Sequence, residues 1–385
     1  MLSKNLQFKI WRKVKLGEIV NITMGQSPHS EFYNTQGRGL PFYQGVTDFG
    51  EKYPKKSMYC SQAKKIAERD NIFFSVRAPV GSVNIATEKS CIGRGVAALQ
   101  MKNGNNSFLY FLLKNYERYF KSVAGGTTYE SINKDQIENI KILVPENSDD
   151  QKRIASILSA FDDKIELNNK ISAALEQMAQ TIFKEWFVKD KKSKKLKIER
   201  IGNIAKVVLG GTPSRLKKEY WDGDIPWINS GKANEFRIIS ASENITSEGL
   251  IKSNTQLMPK RATIIAITGA TLGQVSLLEI DACANQSVIG IFGSELLSPE
   301  FIYLFIKEEI LEIIQQAAGG AQQHINKGII ENYPIFIPSL EVNSKFSKIV
   351  KPIFDEISKN VFENQKLAAL RDLLLPKLMS GEVEV

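Results

Sequence analysis

The sequence predicts an α+β protein: two similar, mixed β-rich globular domains separated by two long antiparallel coiled-coil helices. Duplication is the first observation behind this. Leu16-Gly17-Glu18-Ile19 and the Gly25-Gln26-Ser27-Pro28 that follows return as Ile201-Gly202-Asn203-Ile204 and Gly210-Gly211-Thr212-Pro213, so Gly17 and Gly202 stand 185 positions apart. Cys91 through Val96 is matched by Cys283 through Val288. Ala124-Gly125-Gly126, Ile132-Asn133-Lys134, Ile137-Glu138-Asn139 and Pro145 return in order as Ala318-Gly319-Gly320, Ile325-Asn326-Lys327, Ile330-Glu331-Asn332 and Pro338. Markers in one order over whole halves mean two copies of one domain. The second observation is texture, short apolar runs broken by Gly, Pro and Asn; the third is a pair of long seams with apolar residues every three or four positions.

The first domain, residues 1–148, contains Asn71-Ile72-Phe73-Phe74-Ser75-Val76 and Gly81-Ser82-Val83-Asn84-Ile85, runs whose length and flanking turn residues read as strands. One helix interrupts them, with Phe108, Leu109, Phe111, Leu112, Leu113, Tyr116 and Phe120 at helical spacing. A spacer helix follows over 149–188, its seam running through Ile154, Leu158, Phe161, Ile165, Asn168, Ile171, Leu175, Met178 and Ile182. A Lys-rich linker, 189–196, leads to the second domain, 197–340, where Phe301 to Ile314 repeats the helical pattern. The second spacer helix, 341–385, carries Phe346, Val350, Ile353, Ile357, Val361, Asn364, Leu367, Leu370, Leu374 and Leu378. A helix of roughly 38 residues is about 57 Å long, a spacer's length. Because each seam follows its own globule, mutual burial runs the helices antiparallel. Asn168 and Asn364 either fix register from within the seam or face solvent at its edge. Pro352 either kinks the second helix or marks its start.

Bulk composition narrows the function. Fifty-one Lys and Arg against 42 Asp and Glu give a formal charge of +9 in 385 residues, which favours a polyanionic partner. Cys60, Cys91 and Cys283 are too few and too scattered for a disulfide framework or a four-ligand zinc site. Met1-Leu2-Ser3-Lys4-Asn5 lacks the apolar core of a signal peptide, and no run of about 18 uncharged apolar residues exists. A cytoplasmic protein without a membrane partner is expected.

Catalytic and cofactor signatures do not emerge. Gly269-Ala270-Thr271-Leu272-Gly273-Gln274 has the wrong spacing for a phosphate-binding loop and no Lys. The dinucleotide fingerprint is missing, and so is the Pro-Pro pair that a base-amino methyltransferase motif requires. His29 and His324 lie in different copies without partners at metal-ligand spacing. Asp149-Asp150 and Asp162-Asp163 fall at the start and first turns of the spacer helix, where acids complement its dipole. No catalytic, metal or cofactor residue is assigned.

The order globule, helix, globule, helix resembles the specificity subunit of type I restriction-modification enzymes. The resemblance is carried by Ala124 through Lys134, by Gln322-Gln323-His324-Ile325-Asn326-Lys327, by Gln151-Lys152-Arg153-Ile154-Ala155, and by the tail Leu373 through Gly381. It implies a non-catalytic subunit whose two target-recognition domains each read half of a split double-stranded DNA site. The helices then act as a ruler and dock two methyltransferase subunits. Those subunits carry S-adenosylmethionine, and ATP-dependent endonuclease subunits can join them. The second copy's Phe336-Ile337-Pro338-Ser339-Leu340-Glu341 departs from the Asp149-Asp150-Gln151 pattern and leaves the second helix start open.

Base readers should be polar loop residues with paired donors or acceptors, while Lys and backbone amides hold phosphates. The DNA-binding candidates of the first copy are Gln26, Ser27, Tyr43, Gln44, Arg77, Arg94, Thr127, Thr128 and Tyr129. Those of the second are Thr212, Ser214, Arg215, Asn229, Ser230, Lys232, Thr268, Gln286, Gln322 and Gln323. Arg94 and Gln286, at matched positions, either read bases or satisfy buried backbone groups. Differences between the copies predict different half-sites. Two further readings stay open: a structural adaptor joining two protein partners, and an enzyme with an unrecognised nuclease or methylase site.

Overall fold

The computed structural model describes residues 11–120, 131–189, 197–317 and 325–384. The chain forms two compact units, Met1–Lys164 with Lys366–Val385, and Ile165–Gln365. Both long helices cross from one unit to the other, so each unit holds a globule and a segment of each helix.

In the first unit Trp11–Lys15 pairs antiparallel with Lys141–Pro145, tying the start of the globule to the strand that enters the first long helix. A four-stranded sheet follows in the order Val20–Met24, Val96–Met101, Ile72–Ser75, Val83–Ile85. Ile72, Phe74, Ala97 and Leu99 pack against the helix Asn106–Asn115, whose six residues Phe108 through Leu113 are all buried. A second, five-stranded sheet contains one parallel pair, in which Phe42 lies opposite Cys91 and Tyr43 opposite Ile92. The second unit repeats the plan. Lys197–Arg200 pairs with Pro334–Ile337, and a sheet runs Lys206–Leu209, Val288–Phe292, Thr263–Ala266, Val275–Leu277. Its parallel pair sets Trp227 opposite Cys283 and Ile228 opposite Ala284.

The duplicated sequence markers are structural joints. Asn133 caps the helix Lys134–Glu138 in a reciprocal capping box: its Oδ1 accepts from Gln136 N at 2.9 Å, and Gln136 Oε1 accepts from Asn133 N at 2.8 Å. Asn326 caps Lys327–Asn332 likewise, accepting from Ile329 N at 3.0 Å. Each capped helix leans on the first turn of its globule. A Cβ at Gly17 would stand 2.8 Å from Glu138 Cβ and force a shift, and one at Gly202 would stand 3.1 Å from Glu331 Cβ, a contact that the neighbour must yield to by a few tenths of an ångström.

The long helices span Ser148–Phe183, prolonged by a π turn over Lys184–Val188, and Leu340–Ser380. At 36 and 41 residues they bracket the expected length. Pro352 neither starts the second helix nor sits near its start; it lies exposed more than three turns inside. In the first unit Ile154, Ala155 and Leu158 from one helix and Leu375, Leu378 and Met379 from the other complete the core. In the second unit the same is done by Ala179, Phe183 and Phe187, with Phe346, Val350 and Phe354.

Between these apolar ends the seam differs from the sequence expectation. Ile171 and Met178 are 39% and 46% exposed, while Ser172 and Glu176 are buried. In the second unit Asn168 donates to Asn364 Oδ1 and to Glu363 Oε2, both at 2.8 Å, and Asn360 donates to Ser172 Oγ at 3.3 Å. As positions rise on one helix they fall on the other, so the segments run antiparallel. Asn168 is wholly buried, which settles its place within the seam. The first unit shows the same use of polar groups. Buried Asp162 accepts from Arg371 Nη1 at 2.6 Å, so this acid is an interhelical partner instead of a solvated complement to the dipole.

One ionic cluster fastens the first helix to the second globule. Arg237 Nη2 donates to Glu176 Oε2 at 2.5 Å, while Tyr303 OH and Lys307 Nζ donate to its Oε1 at 2.7 and 3.0 Å. Burial alone pushes the Glu176 carboxyl up, but the Arg237 and Lys307 cations outweigh it and hold the group below the usual carboxylate range.

Candidate nucleic-acid interface

Four polar residues of the first unit converge on the loop Ile92–Val96. Gly25 N donates to Val96 O at 2.9 Å and Gln26 N to Ile92 O at 3.0 Å, laying the Gln26-Ser27 segment against that loop. Ser27 Oγ accepts from Arg94 N at 3.2 Å. Gly93 N donates to Tyr43 O at 2.8 Å, which delivers Gln44 beside it, and Val76 N donates to Gly95 O at 3.0 Å, which delivers Arg77. A Cβ at Gly25 would stand 2.1 Å from Gly93 O, so this junction closes only around glycine. Gln26, Gln44, Arg77 and Arg94 are all exposed.

The second unit builds the same junction with other side chains. Gly210 N donates to Val288 O at 2.9 Å and Gly211 N to Ala284 O at 2.8 Å. Asn285 N donates to Ile228 O and Ile267 N to Ser287 O, both at 3.0 Å, delivering Asn229 and Thr268. Thr212 Oγ1 donates to Gln286 Oε1 at 2.5 Å. Ser27, Gln44, Arg77 and Arg94 are thus replaced by Thr212, Asn229, Thr268 and Gln286 on a matched backbone. Beside this junction lies an open cleft of about 880 Å³ whose wall includes Thr212, Ser214, Lys217, Lys252 and Gln286.

Several predicted site residues are placed differently. Tyr43 is 1% exposed and packs against Phe73 in a tilted ring pair with centroids 5.2 Å apart; burial pushes its hydroxyl up to about 12. It is a core residue, because its strand is covered on both faces, Phe42 entering one apolar cluster and Tyr43 another, and only beyond the strand's end does Gln44 reach the surface. Arg215 is exposed, but its guanidinium forks onto Glu243 at 2.7 and 2.6 Å and lies 3.6 Å from the Trp221 ring. Lys232 is largely covered, bonded to Glu235 at 2.7 Å and to Ser240 Oγ at 2.9 Å. Both cations serve loop structure first. Ser214 is exposed on the cleft wall and Ser230 half-buried at the turn after Asn229. Arg94 and Gln286 project outward, so neither side chain is occupied in satisfying buried backbone. Thr127, Thr128, Tyr129, Gln322 and Gln323 lie outside the described residues. Sequence reasoning missed Lys217 and Lys252 on the cleft wall; the run Arg215-Leu216-Lys217-Lys218 was the available signal for the first.

Among the described residues no group of three or more His, Cys, Asp or Glu could hold a metal ion, and no helix is long and apolar enough to cross a membrane.

Two copies of one frame with different polar rims define a duplicated, two-site protein. The chain belongs to the family described as the type I restriction modification DNA specificity domain, which matches residues 9–177 and again 193–369. It is 26% identical over 414 residues to the type I restriction enzyme MjaIX specificity subunit of Methanocaldococcus jannaschii, covering 98% of this chain and 94% of that one. With the HindI specificity subunit of Haemophilus influenzae it shares 24% identity over 472 residues, 97% of this chain and 99% of the relative. Among solved structures, a type I restriction-modification system S subunit from M. genitalium matches in fold with a TM-score of 0.62 at 19% identity, covering 97% of each chain.

Proposed function

We propose that this chain is the non-catalytic sequence-specificity subunit of a type I restriction-modification complex. Each globule reads one half of a bipartite DNA site. The observation that carries this reading is the junction built twice on a matched backbone with unlike side chains. Arg94 has the fork that pairs with guanine O6 and N7, whereas Gln286 has the amide that pairs with adenine N6 and N7. Ser27, Gln44 and Arg77 in one copy and Thr212, Asn229 and Thr268 in the other complete the two rims. The net charge of +9 supplies the sequence-independent attraction to phosphates.

Methyltransferase subunits would carry S-adenosylmethionine and the methylation of adenine, and ATP-dependent endonuclease subunits would join the same assembly in the cytoplasm. Leu167, Ile171 and Met178 form a stripe on the first long helix, 52%, 39% and 46% exposed, with the spacing of one helical face. That stripe is suited to receive a methyltransferase subunit. Sequencing methylated adenines in genomes with and without the gene tests the proposal. A split motif that disappears with the gene is the expected result; an unchanged methylation pattern, with a purified chain whose retention on random duplex DNA ignores salt, would sink it.

A further inference from the structure

The loop Ser214-Arg215-Leu216 has no counterpart in the first unit. Phe32 and Tyr220 end equivalent short turns, donating their amides to His29 O and Lys217 O at 3.1 Å, and each then leads into a strand. Seven positions separate Gly25 from Phe32, but ten separate Gly210 from Tyr220. The second copy therefore holds three extra residues, and the added loop contains Ser214-Arg215-Leu216. It closes through Lys217 N to Ser214 O at 3.2 Å and is held by Trp221 Nε1 to Ser214 O, also at 3.2 Å. The Arg215 fork on Glu243 and its stacking on Trp221 stiffen it further. On the tip of this braced turn Leu216 is 95% exposed.

Resting on the reading of the chain as a DNA reader, we propose that Leu216 is a wedge that enters the base stack at the second half-site. A leucine displayed on a rigid turn carries an apolar surface that only an apolar environment will cover. Its neighbours select which one: Ser214 and Lys217 line the cleft beside Thr212 and Gln286, and exposed Lys218 follows. Cations flanking a projecting aliphatic side chain suit a polyanion with an apolar interior, where unstacking is offset by burial of the wedge and by closer phosphate contacts. The first copy lacks the insertion, so the wedge acts on one half-site only.

The test uses the full chain assembled with its methyltransferase subunits and a duplex bearing the split motif found by methylation sequencing. 2-Aminopurine is placed at successive positions of the second half-site, away from the methylated adenine. The wild type should raise fluorescence at one base step, and Leu216→Ala should abolish that rise, weaken binding roughly tenfold and leave the first half-site preference unchanged. Leu216→Met should restore both signals. Leu216→Ala with the rise intact, or loss of affinity where the wild type gives no rise, would overturn the wedge. A wild-type assembly that binds the motif no better than random duplex would overturn the underlying reading instead, before any substitution is made.

Discussion

At the residue scale the protein spends buried charge on fastening and leaves exposed polarity for contact. Glu176 is the sharpest case, since three donors converge on a carboxylate that is 5% exposed. Replacing it by Gln leaves Arg237 buried with a weakened partner, which should destabilise the second unit by about 3 kcal/mol at neutral pH. The pH dependence has a definite sign. Because the folded carboxyl titrates below its ordinary value of 4.5, its contribution is fully present above that value and is lost as pH falls through the folded one. Thermal melts of wild type and Glu176→Gln should therefore differ most at neutral pH and converge in acid below pH 4.5. A gap between the two that stays constant down the acid limb would show that the carboxylate is not the linked group.

At the element scale the long helices hold together by apolar ends and a polar middle. Asn168→Leu removes the donor that serves Asn364 and Glu363, and should cost about 0.5–1.5 kcal/mol through the loss of two half-buried hydrogen bonds. Pairing it with Asn364→Leu should recover much of that loss, giving a coupling energy measurable by a double-mutant cycle in denaturant melts. On the outer face, Ile171→Glu and Met178→Glu should leave the melting temperature nearly unchanged while reducing co-purification of methyltransferase subunits severalfold. Retained assembly with both charges in place would move the docking surface elsewhere. This is also the scale at which the sequence was most and least legible. Duplicated markers such as Gly17, Asn133 and Gly25 disclosed the frame, because close backbone approach and capping demand particular residues. Helical periodicity located both helices and their apolar ends. It misjudged the middle because pairs such as Asp162 with Arg371, 209 positions apart, leave no local pattern. Of the candidate readers, Gln44 and Arg94 were chosen as polar loop residues with paired donors or acceptors, and both are exposed. Tyr43 was misplaced because its short strand is covered on both faces, which no alternation reveals, and the pairing of exposed Arg215 with Glu243 went unforeseen because the two lie 28 residues apart.

At the scale of the whole molecule, duplication makes the two rims energetically separable. Ser27, Gln44 and Val76 frame Arg94, while Thr212, Ile228 and Ile267 frame Gln286, so among the described residues the two proposed readers share no partner. Sites without common contacts add their effects within about 0.5 kcal/mol. Arg94→Ala should relax the first half of the split motif and cost about 1–3 kcal/mol of discrimination there; Gln286→Ala should do the same to the second half alone. The double variant should lose the sum, with both halves relaxed and the spacing between them retained. Binding-site selection on all four proteins checks this, because a single substitution that altered both halves, or a double variant far from additive, would mean that one composite surface reads the DNA. The duplicated frame argues for separability: each copy closes its rim with its own glycine and its own parallel strand pair, so a change of reader in one copy leaves the supports of the other untouched.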